Sequence, residues 1–221
     1  MQELEKQEQF EIEVLDRLKS GKFLDSLIFT GGTMLRLCYG LNRFSVDLDF
    51  WLYKKIDTEN YFKKIKEYLS AFYTIRDAEN KFYTMLFEIE GKDYPRTLKI
   101  EIRKKVERVK TDMSIAYSKF SNIQVLVRTL SLEEVMKSKI EAFLNRKEIR
   151  DVFDIEFLLK KGVPINVKKE DLIQLLEEIK NFSKKDYSVK LGSIINAEWR
   201  KYYMKENFKI LVMKLEEILA D

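Results

Sequence analysis

In Ser45-Val46-Asp47-Leu48-Asp49-Phe50, apolar and acidic residues alternate with the two-residue period of a β-strand. The alternation sends Val46, Leu48 and Phe50 to one face, where they can anchor the strand in a core, and Asp47 and Asp49 to the other. Aspartate disfavours strands, so a pair inside a strongly apolar strand asks for a reason. Side by side, the two carboxylates repel unless a cation or a basic residue neutralises them. Oxygen-only ligation of this kind suits Mg²⁺ or Mn²⁺ rather than zinc. The plainer alternative is a pair that decorates a solvent-facing strand.

Leu98-Lys99-Ile100-Glu101-Ile102 repeats the alternation and sets Glu101 opposite three aliphatic residues. If that strand pairs beside the first, three carboxylates converge, and ions bridging them could stabilise the attacking and leaving oxygens of a phosphoryl displacement. Upstream, Leu27-Ile28-Phe29 fits a short buried strand that ends in Thr30-Gly31-Gly32-Thr33, and Met34 to Tyr39 can form a helix. Free amides where such a turn enters a helix can hold phosphate oxygens, and the Thr33 hydroxyl can donate one bond more. A Gly-Gly-Thr turn also serves simply to reverse the chain. Arg43 and Ser45 suit either phosphate contact or a loop surface.

The chain contains no histidine among its 221 residues, which removes Ser-His-Asp, Cys-His, HExxH and Cys/His zinc chemistry. The single cysteine, Cys38, cannot form an internal disulfide and agrees with a reducing compartment. No apolar run approaches the roughly 18 residues that span a bilayer, and the charged N-terminus lacks a signal-like apolar core, so a cytoplasmic protein without membrane association is expected. A net charge of +4 names no partner by itself. The clusters Lys63-Lys64-x-Lys66, Arg103-Lys104-Lys105 and Lys184-Lys185 suit phosphate contact or ordinary solvated faces.

Patterning predicts helices over 2–19 and 58–72, a hairpin from 82–89 and 97–103, a strand over 122–128, and helices thereafter. Ser131-Leu132-Glu133-Glu134 has capping-box spacing and opens the first of these helices. The others are expected near 148–161, 168–180, 189–204 and 206–219. The expected organisation is an α/β part over 1–130 followed by a helical part over 131–221. On the helix after Ser131, Lys139 lies in phase with Val135, Met136 and Phe143, on the inward stripe. An inward lysine requires an anion, either a nucleotide phosphate or a carboxylate, unless it snorkels to the edge. Asp151 and Asp154 share one helix face with Leu158; favourable charge at a helix N-terminus, or pairing of Asp154 with Arg150, is their structural alternative. Cys38 and Tyr39 suit the core better than chemistry.

The run GGTMLRLCYGLNRFSVDLDF, residues 31–50, resembles the signature of the AbiEii-type nucleotidyltransferases. These are the toxin halves of type IV toxin-antitoxin pairs, the MenT toxins among them, within the wider DNA polymerase β-like superfamily. Lys139-Ile140-Glu141-Ala142-Phe143 and Arg150-Asp151-Val152-Phe153-Asp154-Ile155 resemble the family's helical lysine and its RDxxD element. The resemblance implies an α/β (α+β) nucleotidyltransferase fold: a small mixed sheet flanked by helices, with a helical C-terminal part completing the active site. It further implies transfer of a nucleoside monophosphate from an NTP. Gly31, Gly32 and Thr33 would hold the triphosphate, assisted by Arg43, Ser45, Lys139 and Arg150. Asp47, Asp49 and Glu101 would hold Mg²⁺ or Mn²⁺, Glu101 would serve as base, and Asp151 and Asp154 would orient Lys139 or the nucleotide. The implied acceptor is RNA, such as a tRNA 3′ end, and the implied partner is an antitoxin encoded nearby. An acceptor that is a small molecule or protein side chain, and a non-catalytic NTP-binding scaffold, remain open. The last 60 residues carry no part of the resemblance.

Overall fold

Helix α1 (Gln2–Ser20) buries Phe10, Val14, Leu15 and Leu18 on one stripe, as its apolar spacing requires. The burial extends further round the helix and takes in Gln7, Glu8 and Glu11, which amphipathic spacing does not anticipate. In the computed structural model, which describes residues 2–220, α1 packs on a sheet within the first of two units. That unit comprises the chain up to Gly40 together with Phe44–Leu130; the second comprises Leu41–Arg43 together with the chain from Ser131 on.

The strands of the first unit are β1 (Leu27–Thr30), β2 (Asp47–Leu52), β3 (Thr74–Asn80), β4 (Thr84–Glu90), β5 (Leu98–Arg103), β6 (Thr111–Tyr117) and β7 (Gln124–Leu130). Among the described residues they form one mixed sheet of order β3-β4-β5-β2-β1-β7-β6. β2 runs antiparallel to β1 and parallel to β5, while β1 and β7 are parallel. Helices α2 (Gly31–Tyr39) and α3 (Thr58–Ser70) connect the strands. Leu48, Phe50 and Leu52 of β2 are buried, and Phe29 of β1 stacks on Phe50 at 5.2 Å. Burying side chains of this size contributes roughly 1.5–3 kcal/mol each. Val46 lies outside β2 and is 36% exposed, so the apolar anchor is Leu48-x-Phe50-x-Leu52 rather than the expected set. The β4–β5 hairpin forms as expected.

β3 and β6 are not anticipated. Both lie at the sheet's edges, where one neighbour suffices, and β3 (Thr-Ile-Arg-Asp-Ala-Glu-Asn) carries only weak strand propensity. α2 begins at Gly31, earlier than expected.

The second unit is built from α4 (Leu132–Arg146), α5 (Ile149–Lys160), α6 (Lys169–Lys180), α7 (Ala197–Glu206) and α8 (Lys209–Ala220). Ser131 caps α4 by accepting from the Glu134 amide. In place of one helix over 189–204, a π-helical turn over Asp186–Leu191 precedes α7, and Asn196 restarts the helix by accepting from the Trp199 amide at 2.9 Å. α4 packs on α5 and α6, and α8 packs on α5 and α6. Among the described residues no helix is long and apolar enough to cross a membrane.

Candidate active site

Parallel pairing of β2 with β5 puts Asp47 opposite Lys99, Asp49 opposite Glu101 and Trp51 opposite Arg103. Register partners in adjacent strands share a face, so Asp47, Asp49 and Glu101 stand on one side of the sheet while Leu48, Phe50, Ile100 and Ile102 are buried on the other. The two aspartates are half-buried and Glu101 is exposed. Lys99 brings a cation into the row beside Asp47, a neighbour that emerges only once the strands are aligned. Among the described residues no three His, Cys, Asp or Glu side chains are arranged to hold an ion. Glu101 shares the face with both aspartates and stands directly beside Asp49 in the register.

The turn before α2 fits closely against this face. Gly31 has φ +79°, in the left-handed region that favours glycine, and a Cβ there would come within 3.1 Å of the Asp49 Cγ. Thr30, at the N-cap, makes no side-chain hydrogen bond to the first amides of α2. Thr33 differs from expectation: it is fully buried, and its hydroxyl donates to the Asp47 backbone carbonyl at 2.6 Å. It thus ties α2 to β2 and positions Asp47 rather than meeting phosphate. Gly32 is buried, and Ser45, just before β2, is half-buried.

Two buried acids of α1, Glu8 and Glu11, add to the local charge, Glu11 near enough to Asp47 to feel it. Glu8 pairs with Arg36 and accepts from the Ser118 hydroxyl at 2.6 Å, and the Arg36 guanidinium lies 3.9 Å from the Phe44 ring centroid. Glu11 is fully buried with no hydrogen-bond partner for either carboxyl oxygen. Burial, then the nearby Glu8 charge, push its carboxyl well above the ordinary range, with Asp47 adding to the rise against Arg36. Burial also pushes the Cys38 thiol up to about 12, so it is not a thiolate nucleophile. The Tyr39 hydroxyl lies 2.9 Å from that of Ser114, in a structural role.

The second unit holds its own charge cluster. Asp154, fully buried, accepts from Arg43 Nε and Nη2 at 2.6 Å each and from Lys139 Nζ at 2.7 Å. Burial alone would raise its carboxyl, but Arg43 and then Lys139 outweigh it and hold it below the usual carboxylate range. Lys139 reaches Asp151 Oδ1 at 3.5 Å, and Arg146 grips Asp151 through two bonds of 2.6 Å. The anion that Lys139 requires is thus supplied by the RDxxD carboxylates. Arg43, expected at phosphate, is bound bidentately to Asp154. Arg150 is exposed at the first turn of α5 and is not the partner of Asp154. Sequence reasoning misses Arg146, although a basic residue in the last turn of α4, five positions before Asp151, is a usable signal. The Arg43 partnership has none, because 111 residues separate it from Asp154.

The family profile described as "Nucleotidyl transferase AbiEii toxin, Type IV TA system" matches residues 13–205, so it spans both the aspartate face and the buried charge cluster. The chain belongs to the AbiEii family. Two solved Helicobacter pylori structures have this fold and sequence character. The protein JHP933 is 25% identical with a TM-score of 0.55, over 94% of this chain and 93% of its own. A protein assigned as a nucleotidyltransferase is 25% identical with a TM-score of 0.55, over 95% of this chain and 96% of its own. Among curated proteins, none matches. As a member of the AbiEii family, the chain is a nucleotidyltransferase, and its mixed sheet flanked by helices is the nucleotidyltransferase fold.

Proposed function

We propose that this AbiEii protein transfers a nucleoside monophosphate from an NTP to an RNA hydroxyl, with the 3′ end of tRNA as the model acceptor, and so acts as a cytoplasmic toxin held in check by an antitoxin. The observation that carries the transfer chemistry is the aspartate pair on β2, with the Gly31 backbone against Asp49. The donor set suits a hard divalent cation: Mg²⁺ is commonly held by one or two carboxylates plus substrate phosphates, so no three-carboxylate cage is needed. When bound, the ion would offset phosphate charge and orient the reacting oxygens.

In this reading Asp47 and Asp49 hold the cation, and the amides at the start of α2 receive triphosphate oxygens. Thr33 fixes Asp47 from behind. Glu101, on the adjacent strand, accepts the acceptor hydroxyl's proton, and its exposure suits a group that meets a large substrate. In the second unit, Asp154 and Asp151 hold Lys139 in a fixed position. RNA is favoured over a small acceptor by the family and by the basic clusters.

The test incubates the protein with Mg²⁺, each labelled NTP in turn, and total RNA, protein extract or small metabolites. Label is expected in RNA and only with the divalent ion present. Label in protein or metabolites but never in RNA would overturn the RNA acceptor and leave the transfer chemistry standing.

A further inference from the structure

The sequence resemblance leaves the last 60 residues without a role, and the second unit has a cavity there. It encloses about 520 Å³, within the size range of sites that hold a nucleotide-sized ligand. Its wall includes the ring cluster Phe182, Tyr187 and Phe208, with centroids 5.6–6.3 Å apart. Tyr187 and Phe208 are buried, whereas Phe182 is half-buried. Lys184 and Lys209, both exposed, also line the cavity. Glu206 is the acidic residue among the lining and is paired with Lys205 at 3.3 Å.

A second, independent observation falls at the same place. Asn207, exposed and lining the cavity, closes α7 with φ 52° and ψ −137°, a conformation for which glycine is the natural choice. A non-glycine residue held there implies that its side chain matters. An amide offers both a donor and an acceptor, which is what the edge of an unpaired base requires.

We infer that this cavity is a seat for one unpaired nucleotide of a single-stranded RNA, its base against Phe182, its edge read by Asn207 and its flanking phosphates met by Lys184 and Lys209. The ring supplies stacking surface and the lysines the charge that tracks a backbone, the combination by which proteins hold single strands. The inference deepens the proposed RNA acceptor and rests on that reading. It also gives the Lys184-Lys185 cluster a specific task.

The test measures binding of a fluorescein-labelled, mixed-sequence RNA 12-mer to the full-length chain by anisotropy, across a salt series. Lys184→Gln/Lys209→Gln is expected to weaken binding about tenfold and to make the log-log salt slope shallower by roughly 0.7 for each phosphate that the variant no longer neutralises. Asn207→Gly suits the backbone, so its melting temperature should hold or rise while affinity falls about tenfold. Lys168→Gln/Lys201→Gln removes the same charge from exposed positions that do not line the cavity, and should leave affinity within about twofold. Equal weakening by the two lysine pairs, or wild-type affinity in Asn207→Gly, would overturn the inference. Competition by free nucleoside monophosphate as strong as by the oligonucleotide would also overturn it, in favour of a mononucleotide site. Labelled-NTP transfer to the same RNA separates the two claims. RNA binding that these variants weaken, together with no label moved by the wild-type protein, sinks the transfer reading and leaves the seat. Label transfer with an unchanged RNA KM in every variant sinks the seat and leaves the transfer reading.

Discussion

Asp154 neutralises two side chains that are themselves nearly buried, Arg43 and Lys139, so removing its charge leaves buried cations poorly compensated. Asp154→Asn keeps the shape but takes the bidentate carboxylate from Arg43 and leaves Lys139 the longer contact to Asp151, and should cost about 3–5 kcal/mol, read from urea unfolding. A loss under about 1 kcal/mol would show that the cluster relaxes. Because the folded carboxyl is held low, its stabilisation is present above the unfolded value of about 3.9 and disappears as pH falls through the folded value. Glu11 has the opposite sign. Its folded pKa is raised, so the wild type keeps its full stability below the unfolded value of about 4.3 and loses it as pH climbs toward the folded value. Glu11→Gln removes the ionisation, so in metal-free buffer the melting temperature of the variant relative to wild type should rise as pH climbs above the unfolded value of about 4.3. A difference that stays flat with pH would contradict a protonated Glu11.

The tie between α2 and β2 rests on one hydroxyl. Thr33→Val keeps the volume but leaves the buried Asp47 carbonyl without that donor, so it should cost about 1–2 kcal/mol and slow transfer on the order of tenfold through the displaced aspartate. Unchanged turnover with a lowered melting temperature would restrict Thr33 to stability. The alternation in β2 and β5 is legible in the sequence because a two-residue period with one buried face fixes which side chains share a face, whereas the neighbouring of the two strands, and with it the pairing of Asp49 with Glu101, comes from the structure. The inward stripe that holds Lys139 is legible from helical spacing for the same reason. β3 and β6 are not, since edge strands need neither a buried face on both sides nor strong propensity. Nor are the partners of Thr33 and Arg43, or the burial of Glu8 and Glu11: each depends on tertiary packing, which local periodicity does not encode.

At the scale of the molecule, the chain sets an acidic sheet face in one unit and a buried, cation-rich cluster with an aromatic cavity in the other, under a net charge of only +4. Neither the overall charge nor the composition announces this arrangement; residue spacing shows the acidic face and the inward Lys139, and tertiary packing supplies the rest. All of the proposed function depends on the two aspartates of β2 being the groups that make transfer possible. The direct test compares wild-type protein with Asp47→Asn/Asp49→Asn in a Mg²⁺-dependent labelled-NTP assay on total RNA, with circular dichroism and thermal melting run on both. The double variant is expected to fold, with the circular dichroism of the wild type, and to transfer no label. Undiminished transfer by the folded double variant would contradict it.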